Sequence, residues 1–132
     1  MKYSIDIQTR FCDLDGLGHI NNSVYHSYIE LCRVKWSQDI LGFKPDGKNQ
    51  NMPLILARTE IDFLHQGLLA HQLRVDSHIS YVGTKSFHQH YEIMADKLCI
   101  VRAKAVLVWF DFENNKSAEI PDSMKKRILG KI

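Results

Sequence analysis

Apolar stretches in this chain are short, and none approaches the roughly 18 residues that a helix needs to cross a bilayer. The chain begins Met1-Lys2-Tyr3 and already carries an acid at Asp6, where a signal peptide would have an apolar run. These absences predict a soluble, cytoplasmic protein with no membrane partner.

Cysteine is scarce, and charge of either sign is nearly balanced. The three cysteines, Cys12, Cys32 and Cys99, form no CxxC pair, which argues against a disulfide framework and against a zinc knuckle. Seventeen Lys and Arg against 15 Asp and Glu leave a net charge of +2, too even to indicate a nucleic-acid partner. The serine-hydrolase pattern Gly-x-Ser-x-Gly is missing as well.

What is present fits one globular domain over residues 1–132. A hydrophobic content of 45% and a charged content of 24% are ordinary for a packed domain of this length. Alternating residues over 3–11 predict a first strand, and a Gly-rich turn follows over 12–18. A helix is expected from about Ser23 to Ile40, with oxygens of the 21–23 segment as caps and Gly42 as its end.

The apolar residues of this helix cover more than one narrow stripe. A first set recurs at spacings of three and four, and three more widen it, which predicts a helix largely enclosed by other structure. The first set is Tyr25, Tyr28, Ile29, Cys32, Trp36 and Ile40, and the second is Val24, Leu31 and Val34.

After a polar loop over residues 42–52, alternating segments predict four long strands linked by short turns, with Asp96-Lys97 as one turn and a closing helix over 123–128. A five-stranded antiparallel sheet has one face to bury, and only one long helix is available to bury it. The expected fold is α+β, with the sheet curled around that helix and self-association through an exposed face or edge.

The Gly-rich turn brings Asp13, Asp15 and His19 to the start of the helix. First-turn backbone amides lack intrahelical partners and can bind a developing oxyanion. A nearby carboxylate could attack the polarised carbonyl or activate water toward it. These residues predict an acyl-transfer site, although Asp13 and Asp15 as turn formers and Asn22 as a cap explain the same pattern.

The segment from Arg10 to Tyr25, Arg-Phe-Cys-Asp-Leu-Asp-Gly-Leu-Gly-His-Ile-Asn-Asn-Ser-Val-Tyr, resembles the hotdog-fold acyl-CoA thioesterases of the 4-hydroxybenzoyl-CoA thioesterase type. It is most similar to the branch with a Gly-His-Ile/Val-Asn-Asn segment, which includes long-chain acyl-CoA and acyl-ACP thioesterases. Weaker parts of the resemblance are the 81–86 turn and Trp109-Phe110-Asp111. It implies a hotdog fold, a five-stranded antiparallel sheet curled around one long central helix.

The resemblance also implies the site. Asp15 falls on the catalytic carboxylate, as nucleophile or as general base, and Asp13 ranks second. The backbone N–H near Asn22 matches the group that polarises the thioester carbonyl. Tyr25 would line the acyl pocket or fix the turn. His19 departs from the benzoyl-type branch and favours a fatty acyl group.

Enzymes of this type are dimers or tetramers with sites shared across an interface, and they need no metal or cofactor. The resemblance implies that Thr59 of one protomer faces the cleft of its partner. It also implies that Gly83, Lys85 and Ser86 approach the CoA nucleotide or pantetheine, where an ammonium and a free glycine amide suit phosphate. The loop over 42–52 is predicted to bound the acyl pocket.

Other residues with reactive side chains have simpler interpretations. His88 and His90 share one strand face but lack a third metal ligand, so they are predicted to be surface histidines. Cys32 is expected in the core, and Glu30 can pair with Arg33 along the helix. The resemblance also implies a second role for Glu30, because some hotdog thioesterases use a helix glutamate as their catalytic carboxylate. The competing functions are an acyl-ACP thioesterase, a hydratase or dehydratase using His19, and a non-catalytic acyl-thioester binding protein.

Overall fold

The computed structural model describes residues 2–44 and 52–131 as a curled antiparallel sheet with one long helix. The fold class predicted from the sequence is therefore confirmed. Its elements in chain order are β1 (Lys2–Ile7), α1 (Asn22–Trp36), β2 (Leu54–Phe63), β3 (Leu73–Val82), β4 (Ser86–Ala95), β5 (Leu98–Asp111), β6 (Lys116–Ser117) and α2 (Asp122–Ile128). No helix in these two ranges is long and apolar enough to span a membrane.

The strands lie in the order β1-β3-β4-β5-β2, and the short β6 pairs with the end of β5. The prediction of short turns throughout is wrong for the link between β2 and β3. Those two strands are not neighbours, because β2 forms one edge of the sheet and β3 lies beside β1 at the other. Residues 64–72 make the crossing.

The first strand is also shorter than the alternation over 3–11 suggested. It ends at Ile7, and Phe11–Asp13 form a single 3₁₀ turn. Asp13 accepts a hydrogen bond from the Arg10 amide at 3.0 Å, which pulls the chain out of the extended conformation. This turn begins the loop that carries the candidate site.

Helix α1 starts and stops where its residues predict. The Asn21 side chain accepts a hydrogen bond from the Ser23 amide at 3.0 Å. This gives an acceptor to one of the first amides of the helix, which have none inside the helix itself. The helix continues through one π-helical turn, Ser37–Leu41. Gly42 then adopts φ 79°, a left-handed conformation that favours glycine, and ends it.

One face of α1 packs on the sheet, and the opposite face is open in the single chain. The narrow apolar stripe is buried except for Ile40, which is half-buried, and it meets Val75, Tyr91 and Val101 of the sheet. The second apolar set differs from the prediction, because Leu31 is 43% exposed and Val24 and Val34 are half-buried. A single sheet covers only the side of the helix that faces it.

The edge strand β2 is the least covered part of the sheet. Its residues Thr59, Ile61 and Phe63 pair with Ala105, Ala103 and Val101 and so lie on the side of the sheet that faces α1. Thr59 and Phe63 are nevertheless exposed, and Ile61 is only half-buried. The helix therefore leaves the inner side of this edge uncovered.

Candidate active site

The Gly-rich turn is a closed loop held at both ends. The Asp13 carbonyl accepts the Asn21 amide at 2.9 Å, and the Asp15 amide donates to the His19 carbonyl at 2.7 Å. Gly18 has φ 81°, which glycine adopts without strain, and its amide donates to the Asp15 carbonyl at 3.2 Å. These bonds fix Asp15 relative to the start of α1.

The Asp15 carboxylate is anchored through one of its two oxygens. Oδ1 accepts the Leu17 amide at 2.8 Å and the His19 amide at 3.2 Å. Within the described residues, Oδ2 has no hydrogen-bond donor. The loop therefore orients the carboxylate and leaves its second oxygen available for a substrate or a water molecule.

The Asn22 amide at the start of α1 is available. The Ser23 amide donates to the Asn21 side chain, and the Val24 amide donates to the Asn21 carbonyl at 2.9 Å. For Asn22, the first helical residue, no acceptor of its amide lies in the part of the chain that the structure describes. An amide at this end of a helix carries partial positive charge and can bind an oxyanion.

Asp15 and Asn22 line one cavity of about 450 Å³. The sequence-predicted residues His19 and Tyr25 line it too, so four of the predicted site residues come together. The full lining is Asp15, Leu17, His19, Ile20, Asn21, Asn22, Tyr25, Phe63, Leu64, His65 and Gln66. The space combines apolar walls with a carboxylate, an amide and two imidazoles.

The side of the cavity that follows β2 was not predicted from the sequence. Phe63 contacts Tyr25 with ring centroids 5.9 Å apart, and Leu64, His65 and Gln66 continue the wall. The available signal was a strand end with apolar residues followed by His65 and Gln66. The position of that strand end beside α1 depends on the order of the strands in the sheet, which the sequence alone does not show.

Tyr25 joins the two sides of the cavity. It is 1% exposed, and its hydroxyl accepts the Gly67 amide at 3.0 Å. Burial raises the pKa of Tyr25, the Gly67 hydrogen bond opposes this rise, and the negative charge of Asp15 adds to it. The hydroxyl therefore keeps its proton and has it available as a donor inside the cavity.

Replacing Gly67 with alanine is expected to disturb this junction. A Cβ there would lie 2.6 Å from the Tyr25 hydroxyl oxygen and 2.7 Å from Ile20 Cδ1, both in buried side chains. Gly67→Ala should lower the free energy of unfolding by about 1–3 kcal/mol, the usual range for overpacking. Denaturant unfolding measures the loss, and Gly16→Ala is the control, since nothing lies within 4 Å of its Cβ. Equal stability of the two variants would contradict the close approach.

Asp13 does not line the cavity. It is 2% exposed, and its carboxylate accepts the Tyr28 hydroxyl at 2.8 Å as well as the amide and guanidinium of Arg10, each at 3.0 Å. Both oxygens of its carboxylate therefore accept hydrogen bonds from protein donors. Asp13 is thus a structural anchor of the loop, whereas Asp15 faces the cavity.

The remaining predicted site residues lie away from the cavity in the same chain. Thr59 is exposed at the middle of β2, and the 83–86 turn stands at the far end of the sheet. Ser86 pairs with Val108 and Phe63 with Val101, a separation of about 23 Å along β5. The expected free amide at Gly83 is wrong, because that amide donates to the Ser86 carbonyl at 2.7 Å within the turn.

The reactive side chains outside the loop lie in the core or in the sheet. Cys32 is fully buried, as predicted, and burial raises the pKa of its thiol to about 11. His90 stacks on His78 of β3 with ring centroids 5.0 Å apart. Residues 2–44 and 52–131 contain no group of three or more His, Cys, Asp or Glu side chains placed to hold a metal ion.

The loop predicted over 42–52 lies largely outside the described residues.

The predicted pairing of Glu30 with Arg33 does not occur. Glu30 is exposed, and the Arg33 Nε donates instead to the Tyr91 hydroxyl at 3.0 Å. The spacing favours an ion pair between Glu30 and Arg33 on the helix surface. Arg33 instead bonds the buried hydroxyl of Tyr91 beneath it, which is an acceptor away from water.

Known proteins share this sequence pattern and this fold. The pattern of the thioesterase-like superfamily matches residues 9–128. A thioesterase from Thermus thermophilus, solved with coenzyme A and zinc, is 31% identical, with 95% of each chain covered and a TM-score of 0.83. A variant of 4-hydroxybenzoyl-CoA thioesterase, solved with 4-hydroxybenzoyl-CoA, shares the fold at 16% identity, a TM-score of 0.82, and coverage of 96% of this chain and 98% of that one.

A curated relative from Bacillus subtilis (strain 168), the uncharacterized protein YsmA, is 26% identical over 125 residues, which is 93% of this chain and 82% of that protein. The family match spans most of the chain and includes the loop, the helix start and the strand end that build the cavity. The chain belongs to the thioesterase-like superfamily and is a thioester hydrolase of the hotdog fold.

Proposed function

We propose that this protein hydrolyses acyl-CoA thioesters, preferably of fatty acyl type, with Asp15 and the Asn22 amide at the reacting carbonyl. The observation that carries the proposal is their juxtaposition in one cavity. Among the described residues, a fixed carboxylate with an available oxygen and a helix-start amide without an acceptor line the same 450 Å³ space.

In this mechanism the thioester oxygen accepts the Asn22 N–H, which stabilises the negative charge that develops there. As a nucleophile, Asp15 Oδ2 adds to the carbonyl carbon and expels CoA thiolate, and water then hydrolyses the mixed anhydride. As a general base, the same oxygen takes a proton from the attacking water. Either route consumes one water and yields the free acid and CoA. The described residues that line the cavity need no metal for this chemistry.

One comparison supports CoA as the carrier, because the Thermus relative was solved with coenzyme A. The cavity is open to solvent along exposed residues such as Leu17, which gives the carrier a path to the site. The imidazoles of His19 and His65 line the same cavity as Asp15. They are suited to form hydrogen bonds with polar atoms of the pantetheine arm.

The test is thiol release from a panel of acyl-CoAs, from acetyl to palmitoyl and benzoyl. We expect turnover with at least one fatty acyl-CoA and slower turnover with benzoyl-CoA. Parallel assays with acyl-ACP and with hydration of an enoyl-CoA cover the competing functions. Release from acyl-ACP alone would move the substrate to the carrier protein, and hydration without hydrolysis would contradict the proposal.

We further propose that two copies build the complete site by pairing their β2 edges. An edge strand of ten residues with open hydrogen-bonding groups is a template for another strand. Antiparallel pairing about a two-fold axis places the Leu54 end of one strand beside the Phe63 end of the other. The 83–86 turn lies next to that Leu54 end, since the Trp109 amide donates to the Lys85 carbonyl at 2.8 Å and Trp109 pairs with Leu54. The partner's Lys85 and Ser86 would then approach the CoA phosphates, and its Thr59 the cleft.

A mixture of two defective variants tests this shared site. Asp15→Asn removes the carboxylate, and Lys85→Ala weakens CoA binding. A hybrid dimer of the two contains one site with both groups intact, so co-refolded variants should show activity at low substrate concentration well above either parent. Refolding the double variant with wild-type protein is the matched control. Activity equal to the average of the parents, or a monomeric mass in solution, would contradict the shared site.

A further inference from the structure

Among the described residues, one buried hydroxyl proton in the cavity wall has no acceptor. The hydroxyls of Tyr3, Tyr28 and Tyr91 each donate to a side-chain oxygen, at 2.6, 2.8 and 2.8 Å. The Tyr25 hydroxyl differs, because it accepts the Gly67 amide at 3.0 Å and donates to nothing in the part of the chain that the structure describes. Tyr25 is 1% exposed, and a buried tyrosine hydroxyl usually has a partner for its proton. A ligand in the cavity can supply the missing acceptor.

The hydroxyl end of Tyr25 lies at the cavity wall. Its partner Gly67 directly follows Gln66, which lines the cavity. A Cβ built on Gly67 would lie 2.6 Å from the hydroxyl oxygen and 2.7 Å from Cδ1 of Ile20, a second lining residue. The Tyr25 ring also packs against the ring of Phe63, a third lining residue, with centroids 5.9 Å apart. These contacts hold the hydroxyl in place before a substrate binds.

The start of α1 supplies both this hydroxyl and the available amide. Tyr25 follows Asn22 by three residues, and helical side chains lean toward the helix start, so the Tyr25 side chain extends over the turn that begins at Asn22. Both residues line the cavity. A carbonyl oxygen that becomes an oxyanion accepts two or more hydrogen bonds, and the Asn22 amide supplies only one of them.

The surroundings of Tyr25 prepare its hydroxyl for donation. The hydrogen bond that it accepts from Gly67 polarises the hydroxyl and strengthens it as a donor. Burial, with a smaller contribution from the charge of Asp15, raises the pKa of Tyr25, so the proton stays in place at neutral pH. Of the hydrogen bonds between described residues, none joins the Tyr25 hydroxyl to the Asp15 carboxylate. The proton is therefore available to an oxygen of the substrate.

We infer that the Tyr25 hydroxyl donates a hydrogen bond to the thioester carbonyl oxygen and is a second oxyanion donor beside the Asn22 amide. The inference rests on the proposed function and adds a catalytic residue to its site. Both hydrogen bonds strengthen as negative charge develops on the oxygen, so their effect appears in kcat more than in substrate binding. The proton stays on Tyr25 throughout, and hydrolysis still consumes one water and yields the free acid and CoA.

Tyr25→Phe removes this donor and keeps the ring. We expect kcat with the best acyl-CoA to fall by about 10²- to 10³-fold, the usual effect of losing one oxyanion donor. The Kd of a non-hydrolysable acyl-CoA thioether, which has no carbonyl oxygen, should change little. Tyr91→Phe is the matched control, because it removes a buried hydroxyl outside the cavity, and it should leave kcat within a few-fold of wild type.

A carbonyl probe separates donation from a structural role, because Tyr25→Phe also removes the acceptor of the Gly67 amide. The probe is a ketone analogue of the acyl-CoA, with a methylene group in place of the thioester sulfur and an isotope label at the carbonyl carbon. Hydrogen bonds to its oxygen weaken the C=O bond, so the infrared stretching frequency should be higher in the Tyr25→Phe complex than in the wild-type complex. A ring-fluorinated tyrosine at position 25 is a more acidic donor and should lower the frequency below the wild-type value. Tyr91→Phe should match wild type.

The outcomes separate this inference from the proposed function. Equal kcat and equal carbonyl frequency in wild type and Tyr25→Phe would overturn the inference and leave the function standing. A fall in kcat with an unchanged frequency would also overturn it and make the hydroxyl a donor to water or to a partner subunit. If Tyr25→Phe does not fold, the fluorinated protein decides, and a frequency equal to that of wild type overturns the inference. A wild-type protein that hydrolyses no acyl-CoA would overturn the proposed function and, with it, the catalytic role of Tyr25.

Discussion

Asp15→Asn is expected to remove most of the thioester hydrolysis. The kcat/KM should fall by about 10²- to 10⁴-fold, the usual contribution of a positioned acid–base group, and by more if Asp15 is the nucleophile. The substitution is nearly isosteric. Its amide oxygen can still accept the Leu17 and His19 amides that now bind Oδ1. The loop should therefore keep its conformation, while the second position becomes an NH₂ group that neither attacks a carbonyl nor accepts a proton.

The measurement is thiol release with the best substrate of the acyl-CoA panel, alongside thermal unfolding. Asp122→Asn is the control, because Asp122 is exposed on α2 and outside the cavity. We expect the control to match wild type and both variants to unfold at similar temperatures. Turnover by Asp15→Asn within a few-fold of wild type would exclude Asp15 as nucleophile and as base. Hydration that survives in the variant would instead indicate chemistry by His19.

The same variant separates binding from catalysis. If the chain only bound acyl thioesters, Asp15→Asn would leave affinity for a non-hydrolysable acyl-CoA thioether intact, and wild type would release no thiol. If the site is hydrolytic, the variant should bind the thioether and the thioester with similar affinity and should release neither the free acid nor CoA.

The sequence predicted the helices, the five long strands and half of the candidate site for physical reasons. Periodicity fixes which residues face a core, so α1, its Asn21 cap and its stop at Gly42 follow from local chemistry. The turn that carries Asp15 and His19 is a local structure too, and its two ends are close in the chain. For this reason the predicted neighbours Asp15, His19, Asn22 and Tyr25 are together in the structure.

The other half depends on contacts between distant segments. Phe63, Leu64, His65 and Gln66 reach the cavity only because β2 pairs with β5 at the sheet edge. Neither alternation nor spacing encodes that order. The prediction of the partner of Arg33 failed for the same reason: Glu30 is its neighbour along the helix, but Tyr91 lies 58 residues away in sequence and beneath it in space.

Asp13 illustrates how one sequence pattern divides into two roles. Asp13 and Asp15 are separated by one residue, yet Asp13 is buried and Asp15 lines the cavity. Burial alone would raise the pKa of Asp13, but hydrogen bonds from the Arg10 amide, the Tyr28 hydroxyl and the Arg10 guanidinium together outweigh it and hold that pKa below its usual value. The carboxylate is therefore ionised at neutral pH and joins the loop to α1 through Tyr28.

Asp13→Ala is expected to lower the free energy of unfolding by about 2–4 kcal/mol, because it leaves the buried Tyr28 hydroxyl and the part-buried Arg10 amide without their acceptor. Tyr28→Phe removes one of the three bonds and should cost about 1 kcal/mol. Urea unfolding at neutral pH measures both. Asp6→Ala, at an exposed position of β1, is the control and should change stability by less than about 0.5 kcal/mol.

The pH dependence of stability, compared between wild type and a further variant, Asp13→Asn, is the stronger test of the anchor. A carboxyl group whose pKa is lower in the folded than in the unfolded chain adds stability above its unfolded pKa of about 4, and that stability is lost as the pH falls through the folded value. Wild type should therefore lose stability below about pH 4 more steeply than Asp13→Asn, which has no such proton to take up. Asp76, whose pKa is also lowered, contributes equally to both proteins and cancels in the difference. Parallel curves for the two proteins would mean that Asp13 is not an ionised anchor of the loop.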